Sequence, residues 1–190
     1  MGRPPRHDAD KLLDAAVGLV AEGGPRTVTM AAVARAAQAP SGSVYHRFPD
    51  QPALLAALWL RTVDRFQAGF LEALDSGGPV AAARHVIEWS RCNVPQARVL
   101  LAGARSFGES DWTQEARDRL DQANEGVYAE LRRRGRELGF TRKQDMSRFQ
   151  LAVVDLPYAV VRRNLMRGEE IPAFEVDVVV SAVRDLLGAE

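Results

Sequence analysis

Thr29-Met30-Ala31-Ala32-Val33-Ala34-Arg35-Ala36-Ala37-Gln38-Ala39-Pro40-Ser41-Gly42-Ser43-Val44-Tyr45-His46-Arg47-Phe48 reads as a helix, a tight turn and a second short helix, closed at once by Pro49-Asp50. Thr29 is a start signal, because its hydroxyl can accept a bond from an orphan N–H further on. Met30, Val33, Ala34 and Ala37 recur at three- and four-residue steps and give the first helix one apolar stripe. The second helix is predicted to open with Pro40, which a first turn tolerates. Ser41, Gly42 and Ser43 then keep its leading edge small, Val44 and Phe48 supply an apolar face, and Tyr45, His46 and Arg47 carry donors suited to phosphate oxygens. Such a unit fits the major groove, where a recognition helix reads from its N-terminal end.

From about Lys11 to Leu58 the chain resembles the TetR family of bacterial transcriptional repressors. The string Gly42-Ser43-Val44-Tyr45-His46-Arg47-Phe48-Pro49, the glycines at 23 and 24 and the leucines at 54 and 55 carry the resemblance. It implies an all-α fold with a helix-turn-helix DNA-binding domain over 1–50 and a helical effector-binding and dimerisation domain over 51–190. It also implies DNA contacts from Thr29, Ser41, Gly42, Ser43, Tyr45, His46 and Arg47. The Tyr45 ring is expected to pack while its hydroxyl reaches phosphate. The chain departs from the family pattern at several positions. Gln38 stands where a turn glycine is usual and is expected to bear a positive φ or a changed turn. Ser41 and Gln51 replace lysines, which removes charged contacts and flattens the salt dependence of binding. Ala31 cannot read a base, so much of the specificity is expected to come from DNA shape.

The chain has 190 residues, enough for a small domain and a medium one. Its 25 basic and 25 acidic side chains cancel, yet between Gly23 and Pro49 stand Arg26, Arg35 and Arg47 with no acid. The arm Gly2-Arg3-Pro4-Pro5-Arg6 adds two arginines, so a local positive face exists on a neutral protein. Cys92 is alone, which excludes a disulfide within the chain and a cysteine-based metal site. No stretch has the apolar length of a membrane helix, and the N-terminus is too polar for a secretory signal. A cytoplasmic setting is expected.

Beyond the opening unit the periodicity predicts helices throughout. One runs from about 8 to 21, closed by Gly23-Gly24. Another runs from 51 to about 75 with Leu54, Leu55, Leu58, Trp59, Val63, Phe66 and Phe70 as its stripe, and Ser76-Gly77-Gly78-Pro79 breaks it. Helices at about 80–92, 95–105 and 112–138 follow, with a loop at 108–111. Residues 149–161 are apolar almost all round, so a helix there needs cover on more than one side. The segment 174–187 repeats that character; its valines at 176–180 also suit a strand, but the spacing after Ser181 is helical. Helices 143–166 and 173–187 are therefore expected to meet their copies in a four-helix homodimer interface.

Trp89, Phe107, Trp112, Tyr128, Phe149 and Tyr158 are the large side chains after residue 80 suited to a ligand pocket, although aromatics at helical spacing also serve simply as core. Asp155 lies within the apolar helix, where a lone carboxylate is costly. It is expected either to pair with an arginine such as Arg105 or Arg162 or to hold a cationic or hydroxylated effector. Pro157 is expected to kink that helix. His85, Glu88 and Cys92 share a helical face, but core packing and surface charge account for them, so neither metal nor cofactor is expected. Arg132, Arg133, Arg134 and Arg136 complement a helix C-terminus.

These readings favour a ligand-responsive repressor that is released from a pseudo-palindromic DNA operator by a small-molecule effector. The alternative is a helical ligand-binding or enzymatic protein of the same fold that has lost DNA binding. No nucleophile, base and orienter stand at a readable spacing, so an enzyme is not expected. An activator of the same fold is a third reading.

Overall fold

The computed structural model describes residues 6–188, with side chains from residue 9 onward. The arm at 2–5 lies outside the described residues. Those described form helices and turns with no strand, and the valines at 176–180 are helical. By packing, the chain forms two compact units, one of residues 1–63 and 94–121, the other of residues 64–93 and 122–190.

The first unit begins with α1 (Arg6–Gly23), a 3-10 turn (Pro25–Thr27), α2 (Met30–Ala36) and α3 (Ser41–Arg47). Leu12, Ala16, Val28, Val33 and Val44 are buried to the last few per cent, which leaves each helix one fully apolar seam. The unit also takes in the start of α4 (Gln51–Cys92), α5 (Val94–Ala102) and the start of α6 (Gln114–Glu137). Trp59 of α4 meets Phe107 with ring centroids 5.5 Å apart, and the Trp112 indole N–H donates to the Phe107 carbonyl at 3.0 Å. Arg98 of α5 donates to the Ala21 carbonyl at the end of α1 (2.9 Å), satisfying an acceptor that a helix terminus leaves open. Arg61 reaches Asp10 and Asp14 at 3.1 and 2.8 Å. The helix predicted to about 105 ends at Ala102 and is followed by a 3-10 turn, Ala104–Phe107. The region predicted as a loop at 108–111 is the left-handed Gly108 and a second 3-10 turn, Glu109–Asp111, and the cap of α6 is Thr113, whose hydroxyl accepts from the Ala116 N–H.

Within the second unit, α4 is interrupted at Gly78, whose φ of 71° and ψ of −165° belong to backbone that only glycine adopts readily. Pro79 follows and cannot supply the N–H that would continue the ladder. The predicted break over 76–79 is thus concentrated in one residue, and helix resumes directly after it. The two halves pack on each other: Phe66 lies 5.6 Å from the His85 ring and 5.2 Å from Trp89. Gly69 makes this possible, since a Cβ there would fall 2.4 Å from His85 Cε1.

The single helix expected over 143–166 is three segments: α7 (Lys143–Gln150), a π-helical turn (Leu151–Asp155) and α8 (Leu156–Met166). The Leu156 N–H donates to the Leu151 carbonyl five residues back. Pro157 has no N–H for the α-helical ladder, and widening the turn just before it lets the helix pass a proline without breaking. α9 (Ala173–Leu187) completes the unit, with Val176, Val179, Val180 and Val183 buried. Glu175 joins α9 to α8 by accepting from Asn164 Nδ2 at 2.7 Å and pairing with Arg163 at 2.6 Å.

Candidate nucleic-acid interface and apolar cavity

α3 is held by two residues and exposes the rest. Val44 is completely buried and Phe48 is 7% exposed, both in the cluster that contains Val33, Ala34 and Ala37 of the preceding helix and turn. Ser41, Gly42, Tyr45 and His46 are exposed, and Ser43 and Arg47 are half-buried. A Cβ added at Gly42 would meet nothing within 4 Å, so the fold itself does not need glycine there. Tyr45 differs from expectation: its side chain is 58% exposed rather than packed, because Val44 and Phe48 already occupy the inward face. Pro40 also sits one position earlier than predicted, as the N-cap of α3 rather than inside its first turn.

Thr29 caps α2 by accepting from the Ala32 N–H at 3.1 Å, and the exposed hydroxyl keeps its own proton to donate. The turn between α2 and α3 is built on Gln38, the one non-glycine residue with positive φ (53°) among the described residues. The Ala39 N–H reaches back to the Ala34 carbonyl at 2.9 Å and the Gln38 N–H to Arg35 at 3.1 Å, closing the helix end with a left-handed residue where glycine is usual. Two neighbours of this unit were not foreseen as structural. Gln51 donates through Nε2 to the Val28 carbonyl at 2.8 Å, and Asp50 caps α4 by accepting from the Ala53 N–H at 2.8 Å. The lysine-to-glutamine departure at 51 therefore has a structural role, bracing the strap that leads into α2. An uncharged amide at a helix start was the available signal.

The second unit contains a cavity of about 170 Å³. Phe66, Phe70 and Val86 come to it from the two halves of α4, Val127, Tyr128 and Leu131 from α6, Val154 from the π turn and Tyr158 from α8. Besides the hydroxyl-bearing Tyr128 and Tyr158, its polar lining residues are Gln67 and Asn124, joined by a hydrogen bond from Gln67 Nε2 to Asn124 Oδ1 at 3.1 Å.

Of the side chains proposed from sequence for a ligand site, Tyr128 and Tyr158 line this cavity, each about half exposed. Trp89 packs edge-on against Phe66, and Phe149 is fully buried against Phe140 with centroids 5.2 Å apart. Phe107 and Trp112 belong to the core of the first unit. Asp155 is exposed: the π turn carries its carboxylate to the surface, so the expected burial cost does not arise. Gln67 and Asn124 were missed because each reads as an ordinary polar residue beside an apolar stripe. His85 donates from Nε2 to the Phe66 carbonyl (3.3 Å), and Glu88 pairs with Arg84 (3.2 Å). Arg133 pairs with Glu130 and Glu137, and Arg134 with Asp75 at 2.7 Å, so these cations have acidic neighbours within their own unit.

Residues 12–58 match the family model described as "Bacterial regulatory proteins, tetR family". No curated protein matches the chain by sequence. Among solved structures, a TetR family transcription regulator from Marinobacter aquaeolei VT8 is similar with a TM-score of 0.72 at 18% identity, over 95% of this chain and 96% of its own. The fatty acid degradation regulator FadR from Bacillus halodurans gives 0.71 at 19% identity, over 98% and 96%. The transcriptional regulator FadR from Bacillus subtilis, solved in complex with stearoyl-CoA, gives 0.69 at 18% identity, over 95% and 98%. Residues 12–58 thus match the DNA-binding region of the TetR family of bacterial regulatory proteins, and the chain along nearly its whole length has the fold of TetR-family structures.

Proposed function

We propose that the chain is a ligand-responsive transcriptional repressor whose homodimer binds a pseudo-palindromic operator and leaves it when a small molecule occupies the second unit. The observation that carries this reading is α3: two buried anchors hold a short helix whose small leading residues and exposed Tyr45 and His46 face solvent. In the complex, Ser41, Gly42 and Ser43 approach base edges, while Thr29, Tyr45, His46 and Arg47 reach phosphates. The functional division follows the sequence, with 1–50 reading DNA and 51–190 carrying ligand and dimer contacts.

Dimerisation through helices 143–166 and 173–187 is supported by what they expose. Leu151, Tyr158, Phe174 and Val178 are each 47–64% exposed, a set of large apolar side chains of the kind that marks an interaction surface. A two-fold dimer buries the same patch on both copies and spaces its recognition helices about 34–36 Å apart, one DNA turn. α4 and α6 each run from one unit into the other. Occupancy of the cavity favours a conformation whose helices no longer match that spacing, so release follows from differential affinity for two states. An acyl-CoA of the kind held by the Bacillus subtilis FadR is a poor match, because no Arg, Lys or His lines the cavity to receive its phosphates.

The test is retardation of DNA from upstream of the chain's own coding region, followed by loss of the complex on adding an effector. Retardation at low salt that resists non-specific competitor is expected. Its absence favours a ligand-binding protein of this fold without DNA binding.

A further inference from the structure

We infer that the cavity of the second unit is a site for a small neutral aromatic molecule bearing one hydroxyl or amide group, read by the Gln67–Asn124 pair. The inference deepens the repressor reading by naming the class of effector. Size comes first. A dry apolar cavity of about 150 Å³ accepts benzene, and this one is about 170 Å³, room for one ring with a short substituent. The walls favour an aromatic occupant, since Phe66, Phe70, Tyr128 and Tyr158 approach from three helices and offer both ring faces and edges.

The polar end sets the chemistry. Each amide carries two donors and an acceptor oxygen, and the single bond between Gln67 and Asn124 uses one donor and one acceptor. One carbonyl oxygen and further N–H donors therefore remain at the cavity lining, whichever way the amides are turned. A hydroxyl or primary amide satisfies both kinds of partner at once. A carboxylate or ammonium finds no Asp, Glu, Lys, Arg or His in the lining and would be desolvated without a counter-charge. The π turn belongs to this site as well. It sends Val154 into the cavity while Leu151 and Asp155 stay exposed, so the one acid of that turn is kept out of the pocket.

Isothermal titration calorimetry of the full chain without DNA tests this, with p-cresol, toluene, p-toluate and stearoyl-CoA as probes. p-Cresol is expected to bind one per chain and about tenfold more tightly than toluene, the worth of one well-made hydrogen bond, with p-toluate and stearoyl-CoA weaker still. Gln67→Leu and Asn124→Leu keep the apolar volume and should each erase the preference for p-cresol over toluene while toluene still binds. Val127→Phe should fill the cavity and abolish both. Thermal unfolding by circular dichroism identifies any variant that fails to fold, and either amide variant alone suffices. Tighter binding of p-toluate or stearoyl-CoA, p-cresol selectivity unchanged in the folded amide variants, or no p-cresol heat at all overturns the inference. Because no DNA is present, a chain that binds p-cresol but retards no operator sinks the repressor reading alone. A chain that retards operator but ignores p-cresol sinks the effector class alone.

Discussion

Gln38 bears a backbone conformation that costs an L-residue about 1 kcal/mol or more, and the turn keeps it because the Ala39-to-Ala34 bond closes the end of α2. Gln38→Gly should therefore stabilise the protein by about 0.5–1 kcal/mol, read as a raised midpoint in urea unfolding. The departure from glycine at 38 was legible in the sequence, but whether it meant a positive φ or a changed turn was settled only by the backbone, where φ is 53°. Gln51 was half legible: its missing charge was evident, but a bond to a carbonyl 23 residues away was not. His85 illustrates a property only packing creates. Burial holds its imidazole below the ordinary value, against the raising pull of the Phe66 carbonyl, Glu88 and Glu72. The unfolded chain then takes the proton first. The stabilisation is complete above about pH 6.5, the unfolded value, and declines as pH falls through that value until the folded imidazole titrates too. Urea midpoints at pH 7.5 and 5.5 should differ less in His85→Gln than in the parent.

At the scale of elements, periodicity located nearly every helix but not how two of them are interrupted. The break near 76–79 was visible as Ser-Gly-Gly-Pro, yet only the backbone identifies Gly78 as the residue that turns. Gly78→Ala should cost about 2 kcal/mol, as expected for a side chain forced into a region reserved for glycine, measured by urea unfolding; a cost near zero would mean the turn relaxes. Pro157 predicted a kink and instead sits just beyond a π turn. That difference decided the reading of Asp155. A regular helix puts an acid among apolar neighbours, whereas the extra residue in the turn rotates it to solvent, and hydrophobic periodicity alone cannot register one inserted residue. The cavity was equally illegible in its polar half. Gln67 and Asn124 are 57 positions apart and meet only because α4 and α6 come together.

For the whole molecule, sequence suggested a linear succession, while packing interleaves the chain. α5 and the segment to Asp121 join the unit of α1 to α3, through contacts such as Arg98 to Ala21 that no local pattern announces. The unpaired apolar surface of α8 and α9 was foreseen from composition, since helices so rich in valine and leucine exceed what one chain covers. Val178→Asp, at an exposed position of α9, should convert the expected dimer to monomer without lowering helix content, as judged by analytical ultracentrifugation and circular dichroism. A monomeric parent would contradict the interface. Ser41 and Gln51, standing where the family pattern has lysines, leave few charged phosphate contacts, so the decline of operator affinity with salt should be shallow.

The claim that α3 is the DNA-reading edge is tested most directly by measuring operator affinity and thermal stability together in Gly42→Ala. The added methyl meets nothing in the free protein and improves helix propensity, so the melting temperature should hold or rise. In the proposed complex the same methyl would stand among the residues that approach base edges, so fluorescence anisotropy should find operator binding weakened at least about tenfold, the cost of one lost close contact. Operator affinity unchanged in Gly42→Ala would contradict the account.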